Sequence, residues 1–189
     1  RLIRERHSAN EITIRVDANG AFARDASVKL AQLAELDLHS IEQPIQAGNW
    51  EDMAKLCATT PLDIALDEEL IGVHDSASRQ QLLSTIKPQY IILKPSLLGG
   101  FSSCDEWIGL AEAQGCSWWA TSALESNLGL NAIAQWTATK NNPLPQGLGT
   151  GKLFENNAPS RLELSGEQLF HRPNIQLDFN SFWNGLDKL

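Results

Sequence analysis

Three acidic residues and one lysine stand at matching points of four short apolar runs. The runs are Ile14-Arg15-Val16-Asp17-Ala18-Asn19-Gly20, His39-Ser40-Ile41-Glu42-Gln43-Pro44, Leu62-Asp63-Ile64-Ala65-Leu66-Asp67-Glu68-Glu69 and Tyr90-Ile91-Ile92-Leu93-Lys94-Pro95. Glu42 follows Asp17 by 25 positions, Asp67 follows Glu42 by 25, and Lys94 follows Asp67 by 27. Converging carboxylates with no thiolate or imidazole beside them suit a hard divalent cation, Mg²⁺ first and Mn²⁺ as an alternative. Read singly, each acid fits better as a solvated residue at a helix N-terminus. The matched spacing of all three favours one shared site.

The remaining candidates surround that site. Glu68 or Glu69 could replace Asp67 as a ligand; Asp67 is preferred because it holds the matched position, and Glu68 then supports it from outside the ligand set. Asn19 is either a turn residue or a hydrogen-bonding neighbour of Asp17. Lys94 ends a strongly apolar run, where an ammonium is costly unless it is paired or functional. Ser122 and Glu125 follow a fifth run, Trp118-Trp119-Ala120-Thr121-Ser122. Ser122 suits either a substrate carboxylate or a helix cap. Gly147 lies in a weaker sixth run, Gln146 to Gly151, where glycine lets backbone approach a ligand or simply turns the chain.

A period near 25 is the length of a strand-loop-helix-loop unit. Such units laid side by side give a parallel sheet with every strand tip on one end. The spacing predicts six parallel strands, with helices over 26–36, from Asn49 through Leu56, over 76–86, from Ser103 to Gln114 and over 126–140. Ser103-Cys104-Asp105-Glu106 reads as a capping box. Residues 1–11 read as the tail of a helix. From about 152 the rhythm stops: Arg161–Leu164 and Gln168–Phe170 flank Ser165-Gly166-Glu167 as a hairpin. This tail is expected to pack on something other than the repeats. A closed parallel barrel needs eight strands and usually about 250 residues, so six strands point to an open sheet or an incomplete barrel.

Composition narrows the function class. The 189 residues are 42% hydrophobic and carry a net charge of -8, which allows one sizeable core. No basic stripe offers a surface for nucleic acid, and no apolar run approaches the ~20 residues of a membrane span. Cys57, Cys104 and Cys116 have no CxxC spacing and read as free structural thiols in a reducing cytoplasm. His7, His39, His74 and His171 have no ligand spacing.

Val16-Asp17-Ala18-Asn19-Gly20, Ile41-Glu42-Gln43-Pro44, Leu66-Asp67-Glu68 and Leu93-Lys94-Pro95 resemble the barrel motifs of the enolase superfamily, in its muconate-cycloisomerase-like subgroup. Within it, Lys94-Pro95-Ser96-Leu97-Leu98-Gly99-Gly100 and Thr121-Ser122-Ala123-Leu124-Glu125-Ser126-Asn127-Leu128-Gly129 are most similar to the o-succinylbenzoate synthases of menaquinone biosynthesis. The resemblance implies a (β/α)₇β TIM-type barrel, with residues 1–151 supplying its third to eighth strands. Residues 152–189 would return to a capping domain. It implies Asp17, Glu42 and Asp67 as Mg²⁺ ligands and Lys94 as an electrostatic catalyst, or as a second base in related racemases. The implied substrate is a small carboxylate, dehydrated through a metal-stabilised enediolate. The cycloisomerases and the epimerases of dipeptides and N-acylamino acids share this metal site. The Lys-x-Lys pair that the resemblance assigns to the preceding strand has no counterpart in residues 1–189, so the isolated chain is expected to be inactive, and a non-catalytic binding module stays open. Oligomeric state is open as well.

Overall fold

The computed structural model describes residues 1–186. Five short strands, β1 (Arg15–Asp17), β2 (Ser40–Glu42), β3 (Ile64–Leu66), β4 (Tyr90–Leu93) and β5 (Ser117–Ala120), form one parallel sheet in chain order. Helices α1 (Ala26–Ala34), α2 (Trp50–Thr59), α3 (Ser76–Ile86) and α4 (Phe101–Ala113) connect them, and α5 (Asn127–Ala138) follows β5. The register is Asp17 with Glu42, Glu42 with Ala65, Ala65 with Tyr90 and Ile92 with Trp119. Because side chains alternate along a strand, Asp17, Glu42, Asp67 and Lys94 fall on one face.

The opposite face builds the main core. Ile41, Ile64, Leu66, Ile91, Leu93, Trp118 and Ala120 pack against Leu30, Met53, Leu82, Leu83 and Trp107 from the helices. Burying each large apolar side chain contributes about 1.5–3 kcal/mol. The inner face carries a smaller cluster of Ala65, Ile92 and Trp119, joined by Tyr90 and Leu144. Trp118 and Trp119 therefore split between the layers, as strand alternation requires.

The sixth strand is reduced to a single parallel bridge between Thr121 and Gly147. The Gln146 side chain is the reason: its Oε1 accepts from Ala120 N–H at 2.7 Å, where a neighbouring strand would have offered backbone. A short 3₁₀ turn over Thr150–Lys152 then ends the run.

Helix α3 begins and ends where expected, with Asp75 accepting from Ser78 N–H at 2.9 Å. Asn49 precedes α2 without a side-chain cap. The capping box at Ser103 does not form. Helix α4 begins two residues earlier, Ser103 Oγ bonds Leu98 O, and Glu106 pairs with the buried Arg79 of α3 instead. The opening residues make hydrogen-bonded turns in place of a helix.

The hairpin forms as β6 (Leu162–Ser165) and β7 (Gln168–His171). Contrary to expectation it packs on a repeat: Leu162 and Leu169 lie against Leu130 and Ile133 of α5 and against Leu148. Helix α6 (Phe179–Leu186) completes the described chain, and residues 187–189 of the predicted extension lie outside it. Among the described residues, no helix is long and apolar enough to cross a membrane.

Candidate active site

The carboxyl ends of β1 to β4 bring the four matched residues together. Asp67 is 2% exposed, and Lys94 donates to its Oδ2. The same ammonium stands 3.5 Å from Glu42 Oε1. Asp17 lies at the exposed rim, where Asn19 N–H and Asn19 Nδ2 donate to its two oxygens, each at 2.7 Å. Asn19 thus fixes the Asp17 carboxylate through a turn in the left-handed region, at φ 45°.

Electrostatics follows from this crowding. Burial, then the hydrogen bond and charge of Asp67 and the charge of Asp17, push the Glu42 carboxyl up to about 8, against the pull of Lys94. Burial draws the Lys94 ammonium down, but Asp67, Glu42 and Glu68 outweigh it and hold it above the ordinary lysine value. Glu68 is raised mainly by burial, and its Oε2 is buried with no hydrogen-bond partner.

Among the described residues no group of three or more His, Cys, Asp or Glu side chains is drawn close enough to hold a metal ion. Lys94 is the positive charge that Asp67 and Glu42 share. The donor set nevertheless fits a hard cation. It is all oxygen, it concentrates negative charge that repels itself, and Glu68 offers an unpaired buried oxygen beside it. Glu69 does not compete for this role. It is 4% exposed and turned into the wall, accepting from Gln43 Nε2 at 3.0 Å and Gly48 N–H at 2.7 Å.

A second polar cluster links the ends of β4 and β5. Ser122 Oγ donates to Glu125 Oε2 at 2.8 Å, Ala123 N–H donates to the same oxygen at 2.9 Å, and Ser96 donates to Oε1. Burial raises the Glu125 carboxyl, but these bonds, led by that from Ser96, hold it below the usual carboxylate range. Gly147 is committed to packing: a Cβ there would stand 2.5 Å from Thr121 Oγ1, and its carbonyl accepts from Ser122 N–H at 3.0 Å.

Three residues escaped the sequence reading. Ser96 was visible only as part of a longer motif. Gln43 is fully buried between two strand tips. Arg15 lies two positions before Asp17 on the inward face, and that alternation is the signal that could have found it. Its guanidinium covers the Trp119 ring at 3.8 Å, and its Nη1 donates to Pro145 O at 2.8 Å.

The enolase C-terminal domain-like family matches this sequence over residues 1–184. The chain belongs to that family. Among enolase-type proteins it is 58% identical over 165 residues to the o-succinylbenzoate synthase of Desulfotalea psychrophila, covering 87% of this chain and 45% of that protein. The crystal structure of MenC from Desulfotalea psychrophila aligns with a TM-score of 0.86 at 57% identity, over 88% of this chain and 47% of that one. The N-succinylamino acid racemase of Thermus thermophilus is 32% identical over 124 residues, which is 66% of this chain and 33% of that protein. The chain spans less than half the length of these relatives. The enolase-type barrel expected from the motifs is borne out, with five strands in its sheet.

Proposed function

We propose that residues 1–186 carry the metal-binding half of a Mg²⁺-dependent o-succinylbenzoate synthase. One observation supports this most: Asp17, Glu42, Asp67 and Lys94 share one face at the tips of successive parallel strands, in a chain 58% identical to a protein of that name. Asp17, Glu42 and Asp67 are the ion's ligands in this reading, with Asn19 steadying Asp17 and Glu68 lying beside the ligands as a further acidic neighbour. When bound, the ion supplies positive charge that stabilises the substrate carboxylate as its α-proton leaves.

This chain's residues do the rest. Lys94, held protonated by its acidic neighbours, adds a second positive charge at the same end of the barrel. Ser122 would turn its hydroxyl from Glu125 to a substrate carboxylate, and Gly147 lets the chain approach closely beneath it. The substrate is 2-succinyl-6-hydroxy-2,4-cyclohexadiene-1-carboxylate. Loss of its α-proton and its hydroxyl as water leaves an aromatic ring. The base is a lysine of the Lys-x-Lys pair that the family resemblance assigns to a strand outside residues 1–189. The tail from residue 152, whose hairpin packs on α5, reaches the capping domain through its remaining surface, and the enzyme works in the cytoplasm.

Racemisation of an N-succinylamino acid is the second reading, supported by the 32% identity to such a racemase. The full-length protein containing this chain, assayed with the cyclohexadiene carboxylate and with an N-succinylamino acid, separates the two. Faster dehydration is the expected result. Racemisation faster by orders of magnitude would make the protein a racemase, and turnover of neither substrate would favour a binding module.

A further inference from the structure

Gln43 is 0% exposed and uses its whole hydrogen-bonding capacity. Its Oε1 accepts from Asp67 N–H at 3.1 Å and from Glu69 N–H at 3.3 Å. Its Nε2 donates to Ile45 O and to Glu69 Oε2, both at 3.0 Å. Glu69 Oε1 in turn accepts from Gly48 N–H. The backbone ladder between β2 and β3 ends where Gln43 N–H reaches Ala65 O at 2.9 Å. Asp67 lies two residues beyond that point, so its N–H has no strand partner to reach. The Gln43 side chain extends the ladder by one more rung.

Gln43 also sits at φ 33°, a left-handed conformation that is strained for a non-glycine residue and persists only where surrounding contacts fix it. Its neighbour Glu42 and its hydrogen-bonded partner Asp67 are the two acids that face Lys94. We propose that Gln43 and Glu69 are positioning residues that set the spacing of the Glu42 and Asp67 carboxylates, and with it the affinity of the strand tips for a divalent cation. The inference rests on the metal reading given above.

The same strand supplies its own control. At the other end of β3, Gln89 Oε1 accepts from Ile64 N–H at 3.0 Å and Gln89 Nε2 donates to Cys57 O at 3.2 Å. Gln43→Leu and Gln89→Leu therefore remove similar backbone clamps from one strand, but only the first lies beside the acids. Mn²⁺ affinity of the 189-residue chain, read from the electron paramagnetic resonance of free Mn²⁺, distinguishes them. Outer partners of metal ligands typically contribute about 10–100-fold to affinity, so Gln43→Leu should weaken Mn²⁺ by about that factor and Gln89→Leu by less than about twofold.

Glu69→Gln keeps the shape and replaces one acceptor oxygen with a donor. It should give a loss between the two, and it decides the matter if Gln43→Leu does not fold. Equal affinity in Gln43→Leu and the unaltered chain, or equal losses in Gln43→Leu and Gln89→Leu, would overturn the positioning role alone. Failure of the unaltered chain to bind Mn²⁺ would overturn the metal reading and the positioning role with it.

Discussion

The Lys94 ammonium donates to Asp67 and stands 3.5 Å from Glu42, so one lysine holds two carboxylates that would otherwise repel. Removing it leaves buried negative charge without a partner. In chelator at low salt, Lys94→Met should lower stability to urea by about 1–3 kcal/mol, less than a fully buried pair because part of Lys94 reaches solvent. Its loss also removes a charge that competes with a cation. Added Mg²⁺ should therefore stabilise Lys94→Met more than the unaltered chain, as ligand linkage requires. An equal Mg²⁺ effect on both would show that the lysine and the cation do not share these acids.

Cys57, Cys104 and Cys116 are buried and free, and burial pushes each thiol up to about 12. The thiolate is the reactive form. At pH 8 the folded chain should react slowly with a thiol-specific disulfide reagent, and all three thiols should react at once in denaturant. Raising the pH should speed the folded reaction only as the chain opens. Rapid labelling of even one thiol in the folded chain at pH 8 would contradict this burial.

Two glycines should respond to alanine with opposite signs. At Gly147 a methyl would meet Thr121 Oγ1 at 2.5 Å and Thr121 Cβ at 2.8 Å, and Ser122 hangs on the Gly147 carbonyl. Gly147→Ala should destabilise by about 1–3 kcal/mol, as overpacking typically does. Gly109 lies inside α4 with open space around it, so Gly109→Ala should stabilise by about 0.5–1 kcal/mol through the lost backbone freedom of the unfolded chain. Equilibrium unfolding in urea measures both.

The four matched residues were legible because strand alternation and a repeat near 25 act on sequence directly. Asp17, Glu42, Asp67 and Lys94 needed no tertiary information to be placed on one face. Several of the failures involve side chains that make bonds no local pattern encodes. Gln146 takes the Ala120 N–H and thins the sixth strand to a bridge. Ser103 and Glu106 have the spacing of a cap, but Arg79 from the previous helix claims both. Gln43 serves Asp67 from 24 residues away, and no local pattern encodes such a contact. Glu69 carries the same charge as Glu68 and adjoins it, yet one is clamped in the wall and the other keeps a free buried oxygen.

The last prediction separates cation binding from turnover in the 189-residue chain. The oxygen donors Asp17, Glu42 and Asp67 stand at adjoining strand tips, and Asp67 is the most enclosed of them. Mg²⁺ binding should be measurable by calorimetry and abolished by Asp67→Ala. Turnover is a different requirement. Proton abstraction needs a base, and general-base catalysis typically contributes about 10²–10⁴-fold. Among the described residues Lys94 is the one lysine paired with these acids, and its neighbours hold it protonated, which suits a positive charge and opposes a base. The chain alone should therefore bind Mg²⁺ and show no detectable dehydration of the cyclohexadiene carboxylate. Dehydration at a rate near that of a full-length relative would place the base inside this chain. Lys94 would then be the candidate, and Lys94→Ala would have to abolish activity while leaving Mg²⁺ affinity undiminished.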